Sequence, residues 1–266
     1  MPAPTAPSAS SGPLTCRITS AAPADTLLVF DKDGVLLDLN STWLPVVVAI
    51  GSYLEERCGG ATSRDDLLAA VGVEMTPGTD QGIITENSIF AAGTFAHMRE
   101  VWSTLEPKLI PVFADFDSYR ADIDAIVTTT ARGQTIPKGE VKSGLTRLKS
   151  MGFKLAVATN DNTASAMVNL EDLGIDALFD IVICADSGFG RKPEGGGLLE
   201  ACRATGITPD RAIMVGDTAT DFLAAQDAGF KGFITIADNA PARPDFIPHA
   251  DAVLAGVDEL ADLLTS

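Results

Sequence analysis

Runs of apolar residues without polar alternation recur along the chain and predict buried strands. The first run, TLLVF at 26–30, ends abruptly at the polar sequence DKDG. Unbroken apolar runs of this length are typical of parallel strands that are covered on both faces. Similar runs follow in the second half of the chain: KLAVAT (154–159), FDIVIC (179–184), RAIMVG (211–216) and GFITIA (232–237).

Segments with a helical hydrophobic period separate these strands. They cover 137–152, 161–174, 196–206 and 218–229. Pro137 suits a first helical position, and a glycine stands where each segment should end. Because strands and helices alternate strictly from residue 136 onward, we expect right-handed crossovers between parallel strands. The sequence therefore predicts an α/β fold with a doubly wound parallel sheet.

One long segment, 39–135, interrupts this alternation after the first strand. Its pattern predicts several helices, with Pro45 in a first turn and with Ser63 and Asp66 as a capping box. These helices cover 41–59, 63–72, 86–105 and 113–133. Open α/β sheets bind ligands at the carboxyl ends of their strands, and an insertion here would lie over that edge. We therefore expect an α-helical cap domain.

The pattern divides the chain into three parts. Residues 26–38 and 136–266 should form the α/β core, and residues 39–135 the helical cap. Residues 1–25 are rich in Pro, Ala, Ser and Thr, and they lack the basic and apolar stretches of a secretory signal. We expect residues 1–25 to form a disordered tail.

The charge of the chain limits its partners. Its 19 basic and 36 acidic residues give a net charge of −17. Such a surface repels phosphate backbones and anionic lipid, so we expect neither nucleic acid nor a membrane as a partner. The four cysteines are too scattered for zinc-ligand spacing or a disulfide framework, which favours the reducing cytoplasm. An anionic substrate would need a local cation.

Two aspartates, Asp31 and Asp33, directly follow the first predicted strand. If both carboxylates face one site, their repulsion raises the pKa of one of them, which suits a nucleophile beside a general acid and base. A turn with solvated acids would explain the same sequence. A calcium loop is disfavoured, because the chain becomes apolar directly afterwards and offers no later ligands.

Two further groups are candidates for phosphate binding. Thr159 and Asn160 end the second predicted strand, where a hydroxyl and free backbone N–H groups bind anions, although either residue could simply cap the next helix. Lys192 lies in the sequence GRKPEGGG, whose glycines would let the loop approach a ligand closely. A solvated surface lysine is the alternative for Lys192.

The last candidate group is GDTATD at 216–221. Asp221 fits a capping box with Thr218, whereas no cap explains Asp217. An acid at the ligand-binding edge of a sheet suggests a metal ligand. All of these groups lie at the ends of predicted parallel strands or in the loops after them, so they should meet at one edge of the sheet.

In this arrangement the chain resembles phosphatases of the haloacid dehalogenase superfamily. DKDGVLLD matches the first family motif, Thr159 the second, Lys192-Pro193 the third and GDTATD the fourth. Their order and spacing also match, and the resemblance covers about 24–264. The insertion stands where one branch of the family carries a helical cap. Within that branch, the sequence is most similar to the phosphoglycolate phosphatase type.

The resemblance implies a mechanism that passes through an aspartyl-phosphate. Asp31 would be the nucleophile, and Asp33 the general acid and base. Mg²⁺ would bind the Asp31 carboxylate, the Asp33 backbone carbonyl and Asp217. Asp221 would orient Lys192 or a metal-bound water. The groups that would hold the phosphate oxygens are Thr159, the Asn160 N–H and Lys192.

Two features of the sequence depart from what the resemblance implies. The third family motif commonly continues Lys-Pro-x-Pro, whereas this chain has KPEGGG, so we expect the loop to hold Lys192 less firmly. Asp161 adds a negative charge beside the phosphate site. We expect its side chain to point away and to cap the following helix.

The resemblance predicts a Mg²⁺-dependent phosphomonoester hydrolase that acts on a small phosphorylated metabolite, with phosphoglycolate as the most favoured substrate. Arg99, on a cap helix, is the first candidate for binding the carboxylate of that substrate. A phosphomutase or phosphonatase of the same superfamily is an alternative, and so is a non-catalytic phosphate-binding or receiver-like domain. We expect a monomer or a homodimer.

Overall fold

The computed structural model describes residues 22–85, 88–237 and 245–265. Most of the predicted disordered tail, residues 1–25, lies outside these ranges. Its last residues are described: Pro23–Asp25 form a 3-10 turn, and the Thr26 N–H donates to the Pro23 carbonyl at 3.1 Å. The structure thus describes a turn at the end of the predicted tail, and the disorder of its other residues stays a prediction.

The chain enters the sheet with strand β1 (Leu27–Phe30), all of whose residues are buried. The inserted segment follows, and its described residues form helices and one antiparallel hairpin. These elements are α1 (Leu39–Arg57), α2 (Arg64–Ala69), β2 (Val73–Met75), β3 (Gly82–Ile84), α3 (Ile89–Ala92), α4 (Phe95–Leu105), α5 (Ile110–Ala114) and α6 (Phe116–Ala131).

The inserted segment departs from its predicted helices at three points. α1 begins earlier because Asp38 caps it, accepting from the Ser41 N–H at 2.7 Å, and Pro45 consequently lies inside the helix. The helix predicted at 86–105 is divided at Gly93, after which Thr94 caps α4. The hydrophobic pattern does not predict the hairpin of β2 and β3, whose strands have only three residues each.

The rest of the chain alternates strands with helices. The elements are α7 (Val141–Met151), β4 (Lys154–Ala158), α8 (Thr163–Asp172), β5 (Ile181–Ile183), α9 (Gly196–Thr205), β6 (Ala212–Gly216), α10 (Ala219–Asp227), β7 (Gly232–Ile236), β8 (Ala252–Leu254) and α11 (Leu260–Thr265). α7 begins later than predicted, because Pro137 pairs with Leu37 in an isolated bridge instead of opening the helix.

Six parallel strands form one sheet in the order β5-β4-β1-β6-β7-β8. β1 lies in the middle, where Phe30 pairs with Val157 of β4 and with Val215 of β6. The strand order runs outward in opposite directions from β1, which confirms the predicted doubly wound parallel sheet. The loops after β1, β4 and β6 therefore meet at one edge of the sheet.

Both faces of the sheet are covered, which explains why its strands show no polar alternation. Successive side chains of a strand point to opposite faces. Leu28 and Phe30 of β1 accordingly pack in a cluster that includes Leu145 of α7. Leu27 and Val29 belong to a second cluster, formed with residues of α9 and α10.

The inserted segment has a hydrophobic core of its own. Trp102, Leu54 and Val46 are among its buried members, and apart from Leu37 all of these members come from residues 43–123. We propose on this basis that residues 39–135 form a cap domain on a core of residues 26–38 and 136–266. Within the described ranges, no helix combines the length and the hydropathy that crossing a bilayer requires.

The central strand should dominate the stability of the core. Leu28 is fully buried between β4 and β6, so Leu28→Ala should lower the free energy of unfolding by about 2–5 kcal/mol. The control is Leu199→Ala, because Leu199 on α9 is 45% exposed. This substitution should lower the free energy of unfolding by less than about 0.5 kcal/mol. Urea unfolding measures the free energy of unfolding of both variants. An equal loss in Leu28→Ala and Leu199→Ala would contradict this assignment of the core.

Candidate active site

The loops at the carboxyl ends of the strands line a cavity of about 530 Å³, which residues of the inserted segment also border. The sequence-predicted residues that line it are Asp31, Asp33, Arg99, Thr159, Asn160, Lys192 and Asp217. Asp221 is fully buried and reaches the same place through its contact with Lys192. The structure therefore brings all of the predicted site residues together.

Lys192 lies between two carboxylates. Its Nζ atom is 2.6 Å from Asp31 Oδ1 and 2.6 Å from Asp221 Oδ1. Burial by itself would lower the pKa of Lys192, but the charges of Asp221 and Asp31 outweigh burial and raise the pKa above its ordinary value. The two carboxylates therefore favour the charged ammonium form of Lys192, which lines the cavity.

The loop that carries Lys192 is held at several atoms. The Lys192 N–H donates to Asn160 Oδ1, and Asn160 Nδ2 donates to the Lys192 carbonyl, both at 2.9 Å. The Gly195 N–H donates to Asp227 Oδ2 at 2.8 Å, and a Cβ atom at Gly195 would lie 2.6 Å from the Ala228 nitrogen. These contacts hold the loop more firmly than expected, because Gly195 allows close packing against the end of α10.

Asp221 accepts hydrogen bonds both from the first turn of α10 and from Lys192. Its Oδ2 atom accepts hydrogen bonds from the Thr218 N–H at 3.0 Å and from the Thr218 hydroxyl at 2.6 Å, which completes the predicted capping box. Its Oδ1 atom accepts from Lys192 Nζ. The cap therefore fixes the carboxylate that orients the lysine.

Three acids form a cluster that could hold a metal ion. Carboxylate oxygens of Asp31, Asp217 and Asp221 all lie within 4.8 Å of one another. Burial raises the pKa of Asp31 to about 7, with a smaller contribution from Asp221 and with Lys192 opposing it. Burial and the charge of Asp31 also raise the pKa of Asp217 well above its ordinary value. A cation at this point would relieve the crowding of negative charge.

Asp217 is suited to binding such a cation. Its Oδ1 atom is buried and has no hydrogen-bond partner among the described residues. Buried polar atoms are rarely left without partners, and carboxylate oxygens are the ligands that Mg²⁺ prefers. Gly34 allows Asp217 to come close to the first loop, because a Cβ atom at Gly34 would overlap the Asp217 carboxylate. The acids present therefore fit a divalent hard cation.

Asp33 is held by two donors that the sequence analysis did not identify. Its Oδ1 atom accepts hydrogen bonds from Lys32 Nζ at 2.8 Å and from Trp43 Nε1 at 2.5 Å. Lys32 is fully buried. The only sequence signal for this arrangement is a lysine between two acids at the end of a buried strand, and that signal does not specify the contacts.

Asp161 does not cap the following helix, so the expectation for its side chain is wrong. Asn162, one residue later, caps α8 by accepting from the Ser165 N–H at 2.9 Å. The Asp161 Oδ2 atom lies 3.3 Å from Lys32 Nζ. Burial raises the pKa of Asp161, and the ammonium of Lys32 opposes this effect. Lys32 therefore offsets the extra negative charge beside the site.

The remaining predicted residues lie on the cavity wall. The Thr159 hydroxyl accepts a hydrogen bond from the Asp161 N–H at 3.1 Å, which orients this hydroxyl in the loop after β4. The guanidinium carbon of Arg99 lies 4.7 Å from the ring centroid of Phe116, and both residues line the cavity. Arg99 Nε is buried without a hydrogen-bond partner in the part of the chain that the structure describes.

Comparisons with known proteins agree with this geometry. Residues 26–229 match the family described as haloacid dehalogenase-like hydrolase. The chain is 38% identical over 206 residues to phosphoglycolate phosphatase of Psychrobacter arcticus, covering 76% of this chain and 79% of that protein. It is 34% identical over 229 residues to phosphoglycolate phosphatase of Neisseria meningitidis, covering 83% and 88%.

Solved structures extend the comparison to the fold. A hydrolase of haloacid dehalogenase subfamily IA from Geobacter sulfurreducens is 25% identical, with a TM-score of 0.61, and the match covers 93% of this chain and 100% of that one. The chain belongs to the haloacid dehalogenase-like hydrolases. It is therefore an enzyme of the phosphatase class, as the motifs predict, and the receiver-like alternative has no support from the family match.

Gly34 provides a test of the acid cluster. Gly34→Ala should weaken Mg²⁺ binding about 10-fold or more, because the new methyl group would displace the Asp217 carboxylate. The matched control is Gly206→Ala: Gly206 has a similar backbone (φ +71° against +78°), but its Cβ atom would meet no atom within 4 Å. Titration calorimetry measures the affinities, and circular dichroism checks the fold. Equal affinity in the two folded variants would contradict the prediction.

Proposed function

We propose that this protein is a Mg²⁺-dependent phosphomonoester hydrolase that forms an aspartyl-phosphate on Asp31, with phosphoglycolate as its substrate. The observation that carries the proposal is the position of Asp31 on the cavity wall, where it contacts Lys192 and lies beside Asp217. A nucleophilic carboxylate that approaches a phosphate must overcome charge repulsion, and these neighbours supply an ammonium and a cation-binding group.

In the first half-reaction, an oxygen of the Asp31 carboxylate attacks the phosphorus atom. The bond from phosphorus to the ester oxygen breaks, and the leaving oxygen takes a proton from Asp33. Asp33 suits this task because it lines the cavity and its side chain retains 23% exposure. The products of this step are an alcohol and the aspartyl-phosphate.

The second half-reaction restores the enzyme. A water molecule attacks the phosphorus atom of the aspartyl-phosphate while Asp33 accepts one of its protons. The bond between phosphorus and the Asp31 oxygen breaks, so Asp31 leaves as a carboxylate and inorganic phosphate is released. Asp33 is protonated again and ready for the next substrate.

Charged and polar groups of the loops would stabilise the phosphoryl group. Lys192, the Thr159 hydroxyl and the Asn160 N–H are the candidates for the phosphate oxygens. Asp31, Asp217 and the Asp33 backbone carbonyl would hold Mg²⁺, which when bound would offset the negative charge of the acids and of the phosphate. Asp221 keeps Lys192 in place.

The choice of substrate rests on the relatives and on Arg99. Phosphoglycolate phosphatases are among the curated proteins that this chain resembles over most of its length. Phosphoglycolate carries a carboxylate at the end away from its phosphate. Arg99 lies on the part of the cavity wall that the inserted segment supplies, and its unpartnered Nε is suited to that carboxylate.

The nucleophile can be tested directly. With Mg²⁺, the protein should release inorganic phosphate from p-nitrophenyl phosphate and from phosphoglycolate, and EDTA should abolish this release. Asp31→Asn should lower kcat at least about 10³-fold without loss of fold, because an amide cannot replace the nucleophilic carboxylate. A colorimetric phosphate assay measures the rates.

Asp117→Asn is the control, since Asp117 is an exposed aspartate in the first turn of α6 and should keep normal activity. Undiminished phosphate release by Asp31→Asn would exclude Asp31 as the nucleophile. A phosphomutase would return the phosphoryl group to its substrate, so stoichiometric phosphate release also separates a phosphatase from a mutase.

Arg99 should affect only substrates that carry a second anion. Arg99→Gln is expected to raise KM for phosphoglycolate about 10-fold and to leave p-nitrophenyl phosphate hydrolysis nearly unchanged, because one charge-assisted contact is lost. Arg57→Gln is the control, since Arg57 is a surface arginine of the inserted segment that pairs with Asp122. If Arg99→Gln and Arg57→Gln have the same KM for phosphoglycolate, Arg99 does not bind its carboxylate.

A further inference from the structure

The buried lysine beside the nucleophile joins distant parts of the chain. Lys32 Nζ donates to Asp33 Oδ1 at 2.8 Å and to Asn169 Oδ1 of α8 at 2.8 Å, and it lies 3.3 Å from Asp161 Oδ2. An ammonium group has three N–H bonds to donate. Two of these bonds go to Asp33 and Asn169, and the ion pair with Asp161 adds a third fixed neighbour, so Lys32 is held in one place.

The same network reaches both ends of the inserted segment. Trp43, near the start of α1, donates from Nε1 to Asp33 Oδ1 at 2.5 Å, and its ring lies 5.0 Å from Lys32 Nζ. At the other end of the segment, the Thr135 hydroxyl accepts from Asn169 Nδ2 at 3.0 Å. Asp33 is therefore linked to the chain where it enters the insertion, and through Lys32 and Asn169 to the chain where it returns.

We propose that Trp43 and Lys32 are positioning residues that fix Asp33 as the general acid, an inference that rests on the proposed function. Both donors converge on Oδ1, so a proton on that oxygen would oppose two N–H groups. The proton that Asp33 transfers to the leaving oxygen is therefore on Oδ2. Trp43 and Lys32 orient Oδ2 for the transfer without contacting the substrate phosphate themselves.

The leaving group offers a readout that a general loss of structure would not reproduce. An alkoxide needs a proton as the ester bond breaks, whereas p-nitrophenolate is stable enough to leave without one. A poorly oriented Asp33 should therefore slow the hydrolysis of alkyl phosphates much more than that of p-nitrophenyl phosphate. KM should change little, because the phosphate-binding groups stay in place.

Trp43→Phe is the decisive variant, because it removes the indole N–H and keeps an aromatic ring over Lys32. We expect kcat for phosphoglycolate to fall about 10-fold, a part of the full effect of a general acid, and kcat for p-nitrophenyl phosphate to fall less than about 2-fold. Asn169→Leu removes one partner of Lys32 at a distance from the cavity, and it should give the same selective loss to a smaller degree.

Trp102→Phe is the matched control. Trp102 is buried in the inserted segment and donates from Nε1 to the Leu67 carbonyl at 2.8 Å, so this variant loses an equivalent hydrogen bond away from Asp33. Any loss in Trp102→Phe should be equal for the two substrates. If Trp43→Phe also affects both substrates equally, or neither, the positioning inference is wrong and the proposed function stands. If the wild-type protein releases phosphate from neither substrate, the proposed function is wrong, and the positioning inference that rests on it is wrong as well.

Discussion

The candidate site depends on the placement of one buried ammonium group between two carboxylates. Asp31 and Asp221 are buried and Asp217 is half-buried, and crowding negative charges in such a place is costly without a compensating cation. Lys192 supplies that cation at 2.6 Å from both Asp31 and Asp221. The reciprocal hydrogen bonds of Asn160 and the helix cap at Asp221 serve to hold this lysine where the charge is needed.

A second buried lysine divides the acids of the site into two sets. Lys192 contacts Asp31 and Asp221, whereas Lys32 contacts Asp33 and Asp161. Each of the two aspartates in the D-x-D sequence therefore has its own cation. This separation gives a physical reason why adjacent carboxylates of one loop could carry the two tasks that we propose for them, one as nucleophile and the other as acid and base. It also reconciles the anion binding that we propose for the cavity with a chain whose net charge is −17.

Much of this arrangement could be predicted because parallel strands impose it. Asp31, Thr159 and Asp217 follow strands that lie side by side, so their convergence at one edge needs no knowledge of side-chain packing. Predictions that depended on a single local alternative were less reliable. The sequence predicted Asp161 as the cap of α8, whereas Asn162 caps this helix, because Asp161 instead contacts Lys32 in the loop after β1. The break at Gly93 and the hairpin of β2 and β3 were missed for a similar reason, since short elements depend on the packing around them.

The amino-acid sequence by itself determined the alternation of strands and helices, the position of the insertion and the residues available for chemistry. These features follow from hydrophobic period and from turn and cap preferences, which act over a few residues. Only the tertiary structure decided which acid meets which lysine and that Trp43 donates to Asp33. The contact of Lys32 with Asn169 joins residues 137 positions apart. Such a contact depends on how strands and helices pack, and no local pattern encodes it.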